Sequence, residues 1–219
     1  LRPNMETAFD IVYEDKYLAV LNKPHGLQCE PDRNGHPDLC TEYRRRLNKL
    51  NRPAKLLQPV NRLDRPVAGL VLFAKTATAL RDLNLMQEAR QIKKTYVALV
   101  QGTVLPPRAE LSHHITKFAL EKRAVVSQGP TPGSKPAILE YDTLENTPGN
   151  TRLRINLKTG RYHQIRAQLA FAGHPIVGDV YYGGPAIDQP ATIWLHAVRL
   201  AFDHPVTRVP LFVESTPCF

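Results

Sequence analysis

Apolar and polar positions along this chain change phase every few residues, and the changes mark short elements. Ile11–Glu14 and Tyr17–Leu21 read as two strands around an Asp15-Lys16 turn. Leu39, Tyr43, Leu47 and Leu50 recur at helical spacing in an otherwise polar segment. Gly69 to Ala74 is an unbroken apolar run, as in a strand buried on both faces. Thr76 is placed to cap a helix whose inner face carries Leu80, Leu83 and either Met86 or Gln87. Lys94–Val100 predicts a strand closed by Gly102. Residues 103–136, rich in Pro, His and Lys, predict a hairpin excursion with loops. Ala137–Leu144 and Leu153–Leu157 alternate as half-buried strands on either side of Pro148-Gly149-Asn150. Tyr162–Phe171 predicts a helix with Gly173 at its C-cap, and Ile193–Phe202 a last strand region. Strands and helices do not alternate regularly, so the expected class is α+β with a mixed or antiparallel sheet, not a doubly wound one.

At 219 residues the chain suffices for one core, or one core with a lobe. Its 19 prolines are scattered as punctuation, and no repeat or low-complexity linker divides it. The expectation is a single compact domain. Lys and Arg number 29 against 20 Asp and Glu, a net charge of 29 − 20 = +9. That excess draws polyanions and speeds their encounter. Nucleic acid is the first candidate partner. An anionic membrane is the second, but no long basic amphipathic helix supports it. Cys29, Cys40 and Cys218 are odd in number and far apart, without metal-ligand spacing. They read as free thiols. With no membrane-length apolar stretch and no signal-like apolar segment near Leu1, the expected location is the cytoplasm.

Four segments carry candidate chemistry. In Asn61-Arg62-Leu63-Asp64-Arg65-Pro66, one carboxylate stands between two arginines before an apolar strand. A solvated surface turn explains it; so does a carboxylate kept ionised by nearby cations and used as a nucleophile. In Lys93-Lys94-Thr95-Tyr96, the tyrosine is either a core strand residue or an aromatic face for a base. Thr159-Gly160-Arg161-Tyr162-His163-Gln164-Ile165-Arg166 opens a helix with a glycine turn and basic side chains suited to phosphate. Its Arg166 is either a snorkelling surface residue or a partly buried partner for a carboxylate. Gly173-His174-Pro175-Ile176-Val177-Gly178-Asp179 and Leu195-His196-Ala197 read mostly as a tight turn and a core strand.

The order of these segments resembles the RluA-type family of RNA pseudouridine synthases over roughly residues 10 to 205. The motifs are Asn-Lys-Pro-His-Gly-Leu at 22–27, Arg-Leu-Asp at 62–64 with Gly-Leu following, and Lys-Thr-Tyr at 94–96. They continue with Gly-Arg-Tyr-His-Gln-Ile-Arg at 160–166, Gly-His-Pro-Ile-Val-Gly-Asp at 173–179 and Leu-His-Ala at 195–197. The resemblance implies a central mixed, mostly antiparallel sheet with helices and loops around a basic catalytic cleft. It implies isomerisation of uridine to pseudouridine in structured RNA, ribosomal or transfer, with no metal and no organic cofactor needed. A monomer is expected, as a single catalytic domain over 1–219 without the separate N-terminal RNA-binding module that some relatives carry. It matches Asp64 to the catalytic aspartate and Tyr96 to the tyrosine that packs on the target base. Arg166 matches the arginine paired with that aspartate, Leu195 an apolar residue lining the base pocket, and Arg62 the arginine that fills the gap of a flipped nucleotide. Asn61 stands where the family usually has His; it exchanges hydrogen bonds but does not titrate.

Two other classes compete. A non-catalytic RNA-binding or assembly factor that kept the fold would be expected to have lost Asp64, Tyr96 or Arg166, and all three are present. A carboxylate glycosidase needs a second acid flanking the same bond, and none stands out. Residues 28–56 and 103–136, with the Arg44-Arg45-Arg46 and Lys49 cluster, are the expected sources of target choice; a solvated helix face explains that cluster equally well.

Overall fold

The computed structural model describes residues 9–217 and Phe219. The reading of the first residues and of Cys218 lies outside them. Two compact units emerge, one running up to Ile92 and including Arg199–Thr216, the other built on Lys93–Val198.

In the first unit β1 (Asp10–Glu14) and β2 (Leu18–Lys23) pair antiparallel. Asp15 makes their turn: its Oδ1 accepts the N–H groups of Tyr17 (2.7 Å) and Leu18 (2.8 Å). Helix α1 (Leu39–Lys49) starts at Asp38, whose carboxylate accepts the Thr41 N–H, and buries Leu39, Tyr43 and Leu47 along one face. After a two-residue β3 (Gln58–Pro59) comes β4 (Ala68–Ala74), buried at every position and paired antiparallel with β2 from Leu18↔Ala74 to Lys23↔Gly69. Thr76 caps α2 (Ala77–Glu88) by accepting from Ala79 N. Leu83 and Met86 of α2 pack with Leu18, Val20, Leu70 and Leu72 in one core. Each such side chain contributes about 1.5–3 kcal/mol on burial, so β4 is a rigid base for the turn that precedes it.

The second unit is an antiparallel sheet ordered β5 (Lys93–Gln101), β9 (Asn150–Leu157), β8 (Lys135–Thr147), β6 (Arg108–Phe118), β7 (Arg123–Ser127). Gly149, at φ 77°, turns β8 into β9, where the Pro-Gly signal lies. Helix α3 (Gln164–Phe171) packs Ala167 on Ile115, Ala124 and Ala137. Strand β10 (Leu195–Asp203) starts in this unit and ends in the first, where it pairs with β11 (Pro210–Glu214).

The α+β expectation holds, as does the hairpin expected over 103–136, and two details differ. The 103–136 excursion is the β6–β7 hairpin plus the start of β8. Helix α3 begins at Gln164, two residues later than the spacing predicts, because His163 takes the left-handed conformation (φ 50°) and halts the helix on its N-terminal side. Strand β11 is additional to the predicted last strand. The turn before it is held by buried His204, whose Nδ1 accepts from Val206 N and Thr207 N while Nε2 bonds Asp15 Oδ2 at 2.8 Å.

Candidate active site

The Asp64 turn is fastened residue by residue. Asn61 is buried, and its amide bridges two backbone groups of β4: Oδ1 accepts Leu72 N at 2.7 Å and Nδ2 donates to Leu70 O at 3.3 Å. An amide does this without titrating, so Asn61 holds the loop. Leu63 N donates to Cys29 Sγ (3.2 Å), and the thiol donates to Leu63 O (3.4 Å). Asp64 O accepts Val67 N at 3.0 Å, closing the turn before β4. Arg65 O receives Gly26 N (2.9 Å) and Lys23 Nζ (3.3 Å), and Pro66 O receives the N–H of His25 Nδ1 (2.8 Å). The Asp64 side chain is half-buried.

Lys23 is wholly buried, and its ammonium also donates to Leu27 O (2.7 Å) and Pro24 O (3.0 Å). Burial lowers its pKa to about 8, against the opposing pull of the Asp64 carboxylate. The arginines that flank Asp64 in sequence have partners of their own. Arg65 Nε bonds Gly26 O, and Arg62, with its side chain 74% exposed, pairs with Glu30 at 3.3 Å. In this unit a cation coupled to Asp64 is Lys23, 38 residues before Asn61 as the chain runs but joined to the motif through the Arg65 carbonyl.

In the second unit Tyr96 lies buried on β5, on the same strand face as Lys94, whose pKa burial lowers to about 8. Leu99 N donates to Trp194 O at 2.9 Å, which sets the start of β10, and so buried Leu195, beside β5. Arg166 is not a snorkelling residue. It is buried on α3 and makes a two-point ion pair with Asp179, Nε to Oδ2 at 2.7 Å and Nη2 to Oδ1 at 2.9 Å, with side-chain exposures of 7% and 1%. A guanidinium has five N–H donors, so this pair leaves capacity for a second acceptor. Its carbon also lies 5.1 Å from the centre of the Tyr182 ring. The Tyr182 hydroxyl accepts Ala124 N (3.0 Å) and reaches His163 Nδ1 (3.0 Å).

Two glycines aim Asp179. A Cβ at Gly178 would sit 2.8 Å from Thr192 O, and one at Gly184 would sit 2.0 Å from Ile176 O. Only glycine lets this turn close, and the closed turn presents the Asp179 carboxylate to α3. The glycine turn before α3 also uses its donors internally: Gln164 Oε1 accepts Arg161 N at 2.9 Å and the Thr159 hydroxyl at 2.8 Å.

Comparison with known proteins decides the family. The family model described as RNA pseudouridylate synthase matches residues 17–171. The dual-specificity RNA pseudouridine synthase RluA of Pasteurella multocida is 32% identical over 222 residues, covering 99% of this chain and 97% of that protein. The chain belongs to the RluA-type RNA pseudouridine synthases. The ribosomal large subunit pseudouridine synthase C of Salmonella typhimurium is 35% identical over 217 residues, 94% of this chain, and the match spans 65% of that longer protein. The fold agrees with the human RNA pseudouridylate synthase domain containing 1, with a TM-score of 0.80 at 24% identity over 100% of this chain and 87% of that one. As an RluA-type pseudouridine synthase the chain is an enzyme of uridine isomerisation in RNA. Among its described residues no helix is long and apolar enough to cross a membrane.

Three residues that hold the motif segments carried no role in the sequence reading: Lys23 and Asp179, although both lie within the motifs, and Cys29. Lys23 and Asp179 had a signal. Each is a charge beside apolar or glycine neighbours, and a buried charge needs a partner. Cys29 had none, since a lone thiol in a loop reads as a small hydrophobe.

Proposed function

We propose that Asp64 is the catalytic group that opens the glycosidic bond of a uridine in structured RNA, of ribosomal or transfer class, so that the base rejoins the sugar through carbon 5. The support is a half-buried carboxylate on a turn whose backbone is fixed on both sides, in a chain of the pseudouridine synthase family. Attack at carbon 1′, attack at carbon 6 and abstraction of a ribose proton all begin from an ionised carboxylate held in one orientation. The target base must leave its stack, at a cost of a few kcal/mol. Stacking on an aromatic side chain, worth about 1–3 kcal/mol per base, offsets that cost and falls to Tyr96. Arg62 occupies the vacated stack, Leu195 lines the base pocket, and Arg166 serves as the carboxylate's cationic partner. The names of relatives from Pasteurella multocida and Salmonella typhimurium support the RNA class.

The test is release of tritium from RNA labelled at uridine carbon 5, with the product confirmed by carbodiimide labelling of pseudouridine. Wild type is expected to release tritium from ribosomal or transfer RNA. Asp64→Asn is expected to release none while binding the same RNA. Full turnover by Asp64→Asn would reject the assignment. RNA binding without release by the wild-type chain would favour an RNA-binding factor that kept the fold.

A further inference from the structure

The Asp64 turn has no regular secondary structure of its own between Asn61 and β4, yet the reaction needs its carboxylate held still. The chain that restrains it is the loop from Lys23 to Cys29. Most of that restraint lies after Asp64, at Arg65 and Pro66. Before Asp64, both backbone groups of the adjacent residue, Leu63, end on one atom, the Cys29 sulfur. We propose that Cys29 is a positioning residue of the reaction, its thiol fixing the peptide on the N-terminal side of Asp64 and hence the direction of the carboxylate.

Three observations carry this. First, the sulfur acts in both senses, accepting Leu63 N–H at 3.2 Å and donating to Leu63 O at 3.4 Å, so it stands in for a strand partner at a residue that has none. Second, Cys29 is itself immobile. Its side chain is buried, its carbonyl accepts Cys40 N (3.2 Å), and the neighbouring Gln28 carbonyl accepts Leu39 N (2.8 Å). The first turn of α1 therefore anchors the thiol, and the thiol anchors Leu63. Third, burial pushes the thiol pKa up, which keeps the S–H that donates to Leu63 O. A sulfur that only filled space would need neither hydrogen bond.

The proposal rests on Asp64 being the catalytic group, and the experiment separates the two. Cys29→Ser, Cys29→Ala and Cys29→Val are compared with wild type and Asp64→Asn for kcat and KM on RNA and for urea unfolding. Turnover is counted per RNA-binding site, so that unfolded protein drops out. Serine keeps a donor and an acceptor on the same atom and is expected to stay within about threefold of wild type. Valine keeps the bulk but not the bonds, and is expected to lose about tenfold or more in kcat with KM unchanged, because small misplacements of a reacting group are costly. Alanine supplies the same reading without added bulk if valine disturbs folding. Valine or alanine at wild-type kcat, with Asp64→Asn inactive, overturns the positioning role. Serine falling as far as alanine overturns it too. Turnover by Asp64→Asn instead overturns the catalytic reading on which it rests.

Discussion

The turn that carries Asp64 and the helix that carries Arg166 hold their charged residues by opposite means. At the turn, buried Lys23 and Cys29 grip backbone carbonyls and N–H groups, and the motif arginine, Arg62, lies on the surface in a single-point pair with Glu30. On α3 the motif arginine is itself buried, fixed at two points by Asp179, which the Gly178 and Gly184 turn aims. Exposed pairs contribute about 0–1 kcal/mol and exchange easily for other partners. A buried pair contributes little net, but loss of one member costs about 3–5 kcal/mol because the other charge is stranded. The Arg62 pair is thus the weakly held one and the Arg166 pair the one whose loss is costly.

The largest expected effect follows from removing the two-point partner of buried Arg166. Asp179→Ala should lower unfolding stability by about 3–5 kcal/mol in urea titration. Replacing both members, Arg166→Met with Asp179→Leu, should restore most of that stability while turnover stays low. Recovery of turnover in the double variant would show that the pair only supports the fold. Next, Arg166→Lys should cut kcat about tenfold or more, since an ammonium cannot reproduce the planar two-point fork; unchanged turnover would argue against any role for that geometry.

Lys23 allows a third prediction, on the turn's side of the comparison. Burial holds its pKa at about 8 in the folded chain, below an unfolded value near 10.4. Below pH 8 both states carry the proton and the buried charge destabilises in full. Between about pH 8 and 10.4 the unfolded chain keeps a proton that the folded chain has released, so folding stability from this group rises with pH. Lys23→Met removes the titration, so wild type should gain on the variant by up to about 1.4 kcal/mol per pH unit across that window. Parallel stability curves for the two would mean that the ammonium is not held in the buried state described.

What the sequence disclosed divides along the same line. Strands such as β4 and helices such as α1 follow from apolar runs and helical spacing, because burial alone dictates those patterns. The family and the motif residues follow from short runs of chemistry in a fixed order. The groups that position those residues did not emerge: Cys29 meets Leu63 thirty-four residues away, and Asp179 meets Arg166 across thirteen. Neither separation has a period. His163 escaped for a local reason, since its left-handed backbone halts a helix that the apolar spacing extends to Tyr162. At the Asp64 turn the partners of the flanking arginines were not legible either, since Arg62 bonds Glu30 and Arg65 the Gly26 carbonyl.

The smallest expected effect tests the exchangeable half of the comparison. If Arg62 meets RNA as proposed, Glu30 is the carboxylate it leaves, and the pair sits largely in solvent, with side-chain exposures of 74% for the arginine and 35% for the glutamate. Glu30→Gln removes that competition and one negative charge from a surface that has to approach phosphate. Stability should change by no more than about 0.5 kcal/mol. RNA affinity, followed by fluorescence anisotropy in low salt, should rise about twofold, and the gain should shrink as salt screens the pair. Arg62→Ala should weaken binding and make Glu30→Gln silent when the two are combined, because the glutamate would then have no arginine to withhold. If Glu30→Gln strengthens binding equally with Ala at position 62, the effect is one of general surface charge, and Arg62 is not the group that passes from the protein's own carboxylate to the RNA.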